Sequence, residues 1–137
     1  MAVAYPGFHD FYAEGETGGT SLFTVPHANT LQRTLALAKA HSSTIDSVQI
    51  ATWNDFGEGT MIEPTVQYGF SSLATIQRYT GVAYGAADLR AVYEWYRLTQ
   101  KDAANGADTA RLAKAYNDFI ALRVGDAEAL VDQVAAE

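Results

Sequence analysis

The chain has 137 residues, nine Lys or Arg against sixteen Asp or Glu, a net charge of -7 and no cysteine. That length buries enough surface for one domain without a disulfide or metal, but a complete eight-stranded (β/α) barrel takes about 250 residues and at least about 200, so the chain cannot form one alone. Hydrophobic residues at 48% against 18% charged exclude a disordered chain, the acidic balance argues against nucleic acid as a partner, the missing thiols exclude Cys-ligated zinc and thiol nucleophiles, and no apolar run nears the roughly 18 residues of a membrane span.

Met1 to Gly7 is too short, and too soon interrupted by Pro6, for a secretory leader. The expected location is therefore cytoplasmic if the chain is complete as given. Ala2 to Tyr5 reads as a short apolar strand stopped by Pro6-Gly7. Phe8 to His27 holds Gly15, Gly18, Gly19 and Pro26 with no sustained period, and reads as a long loop. Structureless loops of that length are commonly functional or disordered.

Asn29 or Thr30 caps a predicted helix to about His41, with Leu31, Leu35 and Ala38 on one face. Ser47 to Trp53 is the best strand pattern: Val48, Ile50 and Thr52 alternate with Gln49, Ala51 and Trp53. Both faces are mostly apolar or small, which suits a strand covered on both sides. A loop follows through Thr65, then a helix over 70–79 stopped by Gly81. Beyond it the chain is helical only. Asp88 to Gln100 places Leu89, Val92, Tyr93 and Tyr96 on one face; Asp108 to Arg123 does so with Leu112, Tyr116, Phe119 and Ile120; Asp126 to Ala135 with Ala127, Leu130, Val131 and Val134. Asn105-Gly106 and Gly125 mark the breaks, and the aromatic stripe Tyr93, Tyr96, Tyr116 and Phe119 reads as packing.

The expected fold class is thus α/β. Residues 1–85 form a βαβα unit with parallel strands and crossover helices, and residues 86–137 form an all-helical tail packed on it.

The stretch Trp53-Asn54-Asp55-Phe56-Gly57-Glu58-Gly59-Thr60 carries the chemistry. Two carboxylates stand three residues apart directly after a well-patterned strand, where α/β folds collect ligands and catalytic groups. The flanking glycines permit unusual backbone angles. Two carboxylates in one cleft can be driven to different protonation states, the division of labour that glycoside hydrolysis needs. Trp53 offers a flat face to a sugar ring and Asn54 a hydrogen bond to hydroxyls. The plain alternative is that Asp55 and Glu58 are solvated loop acids and Trp53 belongs to the core. The three histidines, His9, His27 and His41, match no zinc spacing. Gly15-x-x-Gly18-Gly19-Thr20 is not a phosphate loop, since no strand leads into it and no Lys follows.

Thr52 to Thr65, with the Trp-Asn-acid-aromatic-x-Glu pattern, resembles the segment after a late barrel strand in glycoside hydrolase families 71 and 99, α-glucanases and endo-α-mannosidase-like enzymes. Tyr5-Pro6-Gly7-Phe8-His9-Asp10-Phe11-Tyr12 resembles the Pro-Gly-aromatic-x-Asp turn after an earlier strand of the same enzymes. The resemblance covers residues 3–82 and runs more loosely through the tail. It implies a partial (β/α) barrel. It makes Asp55 the base and Glu58 the acid that protonates the leaving glycosidic oxygen. Glu63 would be a third carboxylate that binds sugar hydroxyls or holds the loop. His9, Asp10 and Tyr12 would line the substrate cleft. Asp55 stands where the 99-type enzymes carry Glu, which is closer to the 71 type. No cofactor is implied, because paired carboxylates need none.

Two of eight strands are present, so the upstream substrate-binding residues are missing and the sheet edges are open. The expected partners are an oligo- or polysaccharide and either a second copy of the chain or missing strands from another polypeptide. The functions in competition are a glycoside hydrolase or its remnant, inactive as an isolated monomer, and a non-catalytic carbohydrate-binding or self-associating module. A piece of a longer reading frame is the third possibility.

Overall fold

In the computed structural model, residues 1–15, 23–101 and 106–136 are described. Over these residues the fold is mixed α/β and helix-rich, with five helices and two two-stranded sheets. The chain divides into two units, Met1–Val82 and Ala83–Glu137.

In the first unit, β1 (Ala2–Ala4) pairs in parallel with β4 (Val48–Ile50), in the register Ala2↔Val48, Val3↔Gln49, Ala4↔Ile50. Helix α1 (Thr30–Ala40) lies between them in sequence and packs on β1, because its period-3.6 stripe of Leu31, Leu35 and Ala38 is buried. Leu31, Leu35 and Ala4 form the centre of this core, and Val48, Ile50, Ile76 and Tyr79 pack around it. Burying a leucine such as Leu35, 2% exposed, contributes about 1.5–3 kcal/mol.

Asn29 occupies the N-cap of α1 without a side-chain capping bond. The start is tied instead by Thr30, whose Oγ1 donates to the Pro26 carbonyl at 2.6 Å. His41 closes the helix as its C-cap, with its N–H shared between the Leu37 and Ala38 carbonyls. Helix α2 (Ser71–Thr80) ends at Gly81, whose φ of 73° is the left-handed turn that glycine adopts without a Cβ penalty.

Three expectations for this unit need correction. The strand expected over Ser47 to Trp53 ends at Ile50. Thr52 and Trp53 turn away because their backbone bonds go to the following loop: Thr52 N donates to Thr60 O, and Ile62 N donates to both Thr52 O and Trp53 O. The strand is not covered on both sides either. Val48 and Ile50 face the core while Gln49 and Val3 are exposed, as in a sheet packed on one face only. The expected loop from Phe8 to His27 contains a second, antiparallel pairing of β2 (Phe8–His9) with β3 (Thr24–Val25). Stacked rings of Phe8 and Phe23, 4.9 Å apart, support it. Gly18, Gly19 and Thr20 lie outside the described residues.

The second unit is three helices, α3 (Ala86–Lys101), α4 (Gly106–Ile120) and α5 (Val124–Ala135). Its core is Leu98, Leu112, Ala115, Ala127, Val131 and Val134, with Trp95, Phe119 and Leu130 packed against it. The stripe expected on α3 is turned by about one residue. Val92, Tyr93 and Tyr96 are exposed, and Trp95 and Leu98 point inward. Trp95 carries the larger apolar surface and satisfies its indole N–H on the Leu112 carbonyl at 2.9 Å, so it takes the inner position. Of the aromatic stripe, Phe119 packs in the core, while Tyr116 is half exposed and stacks on Trp95 at 5.3 Å. Ile120 is exposed as well. Gly125 is not a break but sits in the first turn of α5. The break falls just before, at Leu122, whose φ is 57°.

Candidate functional site

The carboxylate loop leaves the C-terminal end of β4, and the segment from Phe8 to Tyr12 leaves the neighbourhood of β1's C-terminal end through Pro6-Gly7. Because β1 and β4 are parallel, both segments emerge at the same end of the sheet. They are then joined by their backbones. His9 N donates to Glu58 O at 3.0 Å, and Phe11 N donates to Gly57 O at 2.9 Å.

Two glycines make this approach possible. A Cβ on Gly59 would sit 2.9 Å from His9 O and 3.2 Å from His9 N, and Gly59 holds a φ of 63°. A Cβ on Gly7 would sit 2.5 Å from the His27 ring. The left-handed angle belongs to Gly59 and not to Gly57.

Side chains build the loop from within. Asp55 Oδ1 accepts the Glu58 backbone N–H at 2.9 Å, a turn closed by an acidic side chain. Thr52 Oγ1 accepts the Asp55 N–H at 3.2 Å and lies 2.8 Å from Thr60 Oγ1. Across the gap, the Tyr12 hydroxyl donates to Glu58 Oε1 at 2.8 Å. That bond, loss of hydration, and the negative charges of Glu58, Asp55 and Asp10 hold the Tyr12 phenol above the usual tyrosine range.

Of the eight residues singled out from sequence, Tyr12, Asp55 and Glu58 therefore meet through hydrogen bonds, and Asp10, two residues before Tyr12, acts on it through its charge. Asp10 is buried, 1% exposed; Asp55 and Glu58 are half-buried; Tyr12 is exposed. His9 adjoins them through its backbone, and its ring turns aside, with Nδ1 3.2 Å from Thr24 Oγ1 and an edge contact to Phe11. Trp53 and Asn54 are exposed. Trp53 is thus an available flat face and not a core residue. Glu63 is half-buried, and its backbone N–H closes the loop onto Trp53 O at 2.8 Å.

The residue that sequence reading passed over is His27. Its Nε2 donates to the Gly59 carbonyl at 2.6 Å, and its ring stacks on Tyr68 at 4.4 Å with only 5° between the planes. A groove of about 310 Å³ runs beside it, lined by His9, Phe11, Met61 and Tyr68 among others. The contact joins positions 32 residues apart, so no local spacing signals it.

Among the described residues no group of three or more His, Asp or Glu side chains is arranged to hold a metal ion, and no helix is long and apolar enough to cross a membrane. No protein-family model, curated protein or solved structure matches the chain.

Proposed function

We propose that residues 1–82 carry the acid–base end of a glycoside hydrolase-like cleft acting on α-linked polysaccharide, of the family 71 and 99 type, built on a partial (β/α) barrel. One observation supports this most: two distant segments dock at the C-terminal end of two parallel strands, where the Tyr12 hydroxyl of one donates to Glu58 Oε1 of the other at 2.8 Å. That is where such folds place catalytic groups. In this reading Asp55 is the base, Glu58 the acid, and Tyr12, Asp10 and His9 line the cleft. Trp53 offers its face to a sugar ring, Asn54 binds hydroxyls, and Glu63 holds the loop. The residues that would complete the cleft come from a second copy or another polypeptide.

The test is hydrolysis of α-linked gluco- and manno-oligosaccharides, followed together with binding by calorimetry. Asp55→Asn and Glu58→Gln should each lower turnover by about 10²–10⁴-fold, the typical contribution of an acid or base, while saturable binding remains. Turnover unchanged in both variants defeats the assignment.

A second reading, a carbohydrate-binding or self-associating module without catalysis, is favoured by the exposed Trp53 and Phe56 and by the sheet edges. Each strand of the β1–β4 pair has one neighbour among the described residues. Binding without turnover in the unaltered protein selects this reading. Absence of any glycan binding removes both.

A further inference from the structure

We infer that His27 is the positioning residue of the carboxylate loop, setting where Glu58 stands by holding the carbonyl of Gly59. The imidazole is fixed from three sides. One approach is open to it only because Gly7 lacks a Cβ, which would otherwise lie 2.5 Å from Cδ2. Its plane is set by Tyr68, nearly parallel at 4.4 Å. Its Nε2–H reaches the Gly59 carbonyl at 2.6 Å, in the peptide between Gly59 and Thr60, one residue beyond Glu58. A ring oriented in this way has little freedom to choose another partner.

The loop it holds has its own anchors at Thr52, Asp55 and Thr60. Around Glu58 the backbone is tied at Glu58 N by Asp55 Oδ1, at Glu58 O by His9 N, at Gly57 O by Phe11 N and at Thr60 N by Asp55 O, and His27 holds the carbonyl of Gly59. Because Gly59 is left-handed and touches the His9 backbone, a small rotation of its peptide swings the Glu58 side chain relative to Tyr12. His27 thus acts through Gly59 on Glu58 and touches no reacting atom. The inference concerns the site proposed above, but its measurements need no turnover, so it stands or falls separately from hydrolysis.

Two measurements test it. In the unaltered protein, above the histidine titration range, long-range proton–nitrogen correlation should show His27 as the tautomer protonated on Nε2, assigned by comparison with His27→Gln. A bare Nε2 overturns the inference, since it cannot donate to a carbonyl. Second, the Tyr12 phenol is titrated by ring-carbon shift, assigned with Tyr12→Phe. His27→Phe, which keeps a stacking ring and loses the donor, should return Tyr12 toward the ordinary tyrosine value of about 10. His27→Gln, which keeps an N–H donor, should restore the upward displacement at least in part. A role limited to stability would lower the melting temperature of His27→Phe and leave Tyr12 unmoved, and that result also overturns the inference. If His27→Phe does not fold, the tautomer measurement decides.

Discussion

Two glycines flank Glu58, and they are not equivalent. Gly59 is left-handed and its missing Cβ faces the His9 backbone at 2.9 Å, whereas a Cβ on Gly57 meets only Asp55 Oδ1 at 3.4 Å. Left-handed backbone costs a non-glycine residue about 1–2 kcal/mol before any clash. Gly59→Ala should therefore destabilise the protein by at least about 2 kcal/mol in denaturant unfolding, and Gly57→Ala by less than about 1 kcal/mol. Equal effects would show that the loop does not dock on His9. Tyr12 gives a second test. Its phenol titrates above its unfolded value, so the neutral form is the one the fold favours. The stability it contributes is fully present below about pH 10 and is lost as pH rises through the folded value. The difference in stability between the protein and Tyr12→Phe should be flat below pH 10 and shrink above it.

At the scale of elements, what could be read from sequence depended on whether one face dominated. The α1 stripe of Leu31, Leu35 and Ala38 is uniform and unopposed, so its orientation was legible, as were the Gly81 stop and the position of the carboxylate pair just beyond a strand. The face of α3 was not, because apolar and aromatic residues surround most of that helix, and only the hydrogen bond of Trp95 to Leu112 O selects among them. Helix α4 was harder still. Its inner face includes Asp108 and Asp118, residue types that belong outside by composition. Each is buried beside a cation: Asp108 with Arg111 at 2.7 Å, and Asp118 with Lys114 at 2.7 Å and with Arg123. Lys114 first, then Arg123, holds the Asp118 carboxyl below the usual range. Its contribution is present above the unfolded value near 4 and is lost as pH falls through the lower folded value. Acid unfolding of the helical unit should accordingly lose part of its pH dependence below about pH 4 in Asp118→Asn, measured by far-ultraviolet circular dichroism. An unchanged acid limb would mean that the two cations leave Asp118 indifferent.

At the scale of the molecule, each unit has its own buried cluster and its own tryptophan. Trp53 stands beside the carboxylate loop and Trp95 lies against the helical core. Variants with one tryptophan, Trp53→Phe and Trp95→Phe, therefore report on one unit each. Leu112, 4% exposed at the centre of the helical core, should cost about 2–5 kcal/mol when cut to Ala, and the loss should appear at Trp95 before Trp53. Coincident loss at both tryptophans would instead describe one cooperative unit. The change from mixed elements to helices alone near residue 85 was legible from periodicity. The clamp around His27 was not, because Gly7, His27, Gly59 and Tyr68 come from four separate segments and acquire meaning only when folded together.

The parallel register of Ala2 with Val48 carries a consequence for the order of assembly. Among the described residues β1 pairs only with β4, and parallel pairing across so wide a loop must meet its closure entropy before any contact compensates. During synthesis β1 must wait for β4 to follow α1. The gathering of Asp10, Tyr12, Asp55 and Glu58 is then among the last events in the first unit, and a nascent chain arrested before residue 50 would hold the helix without the site.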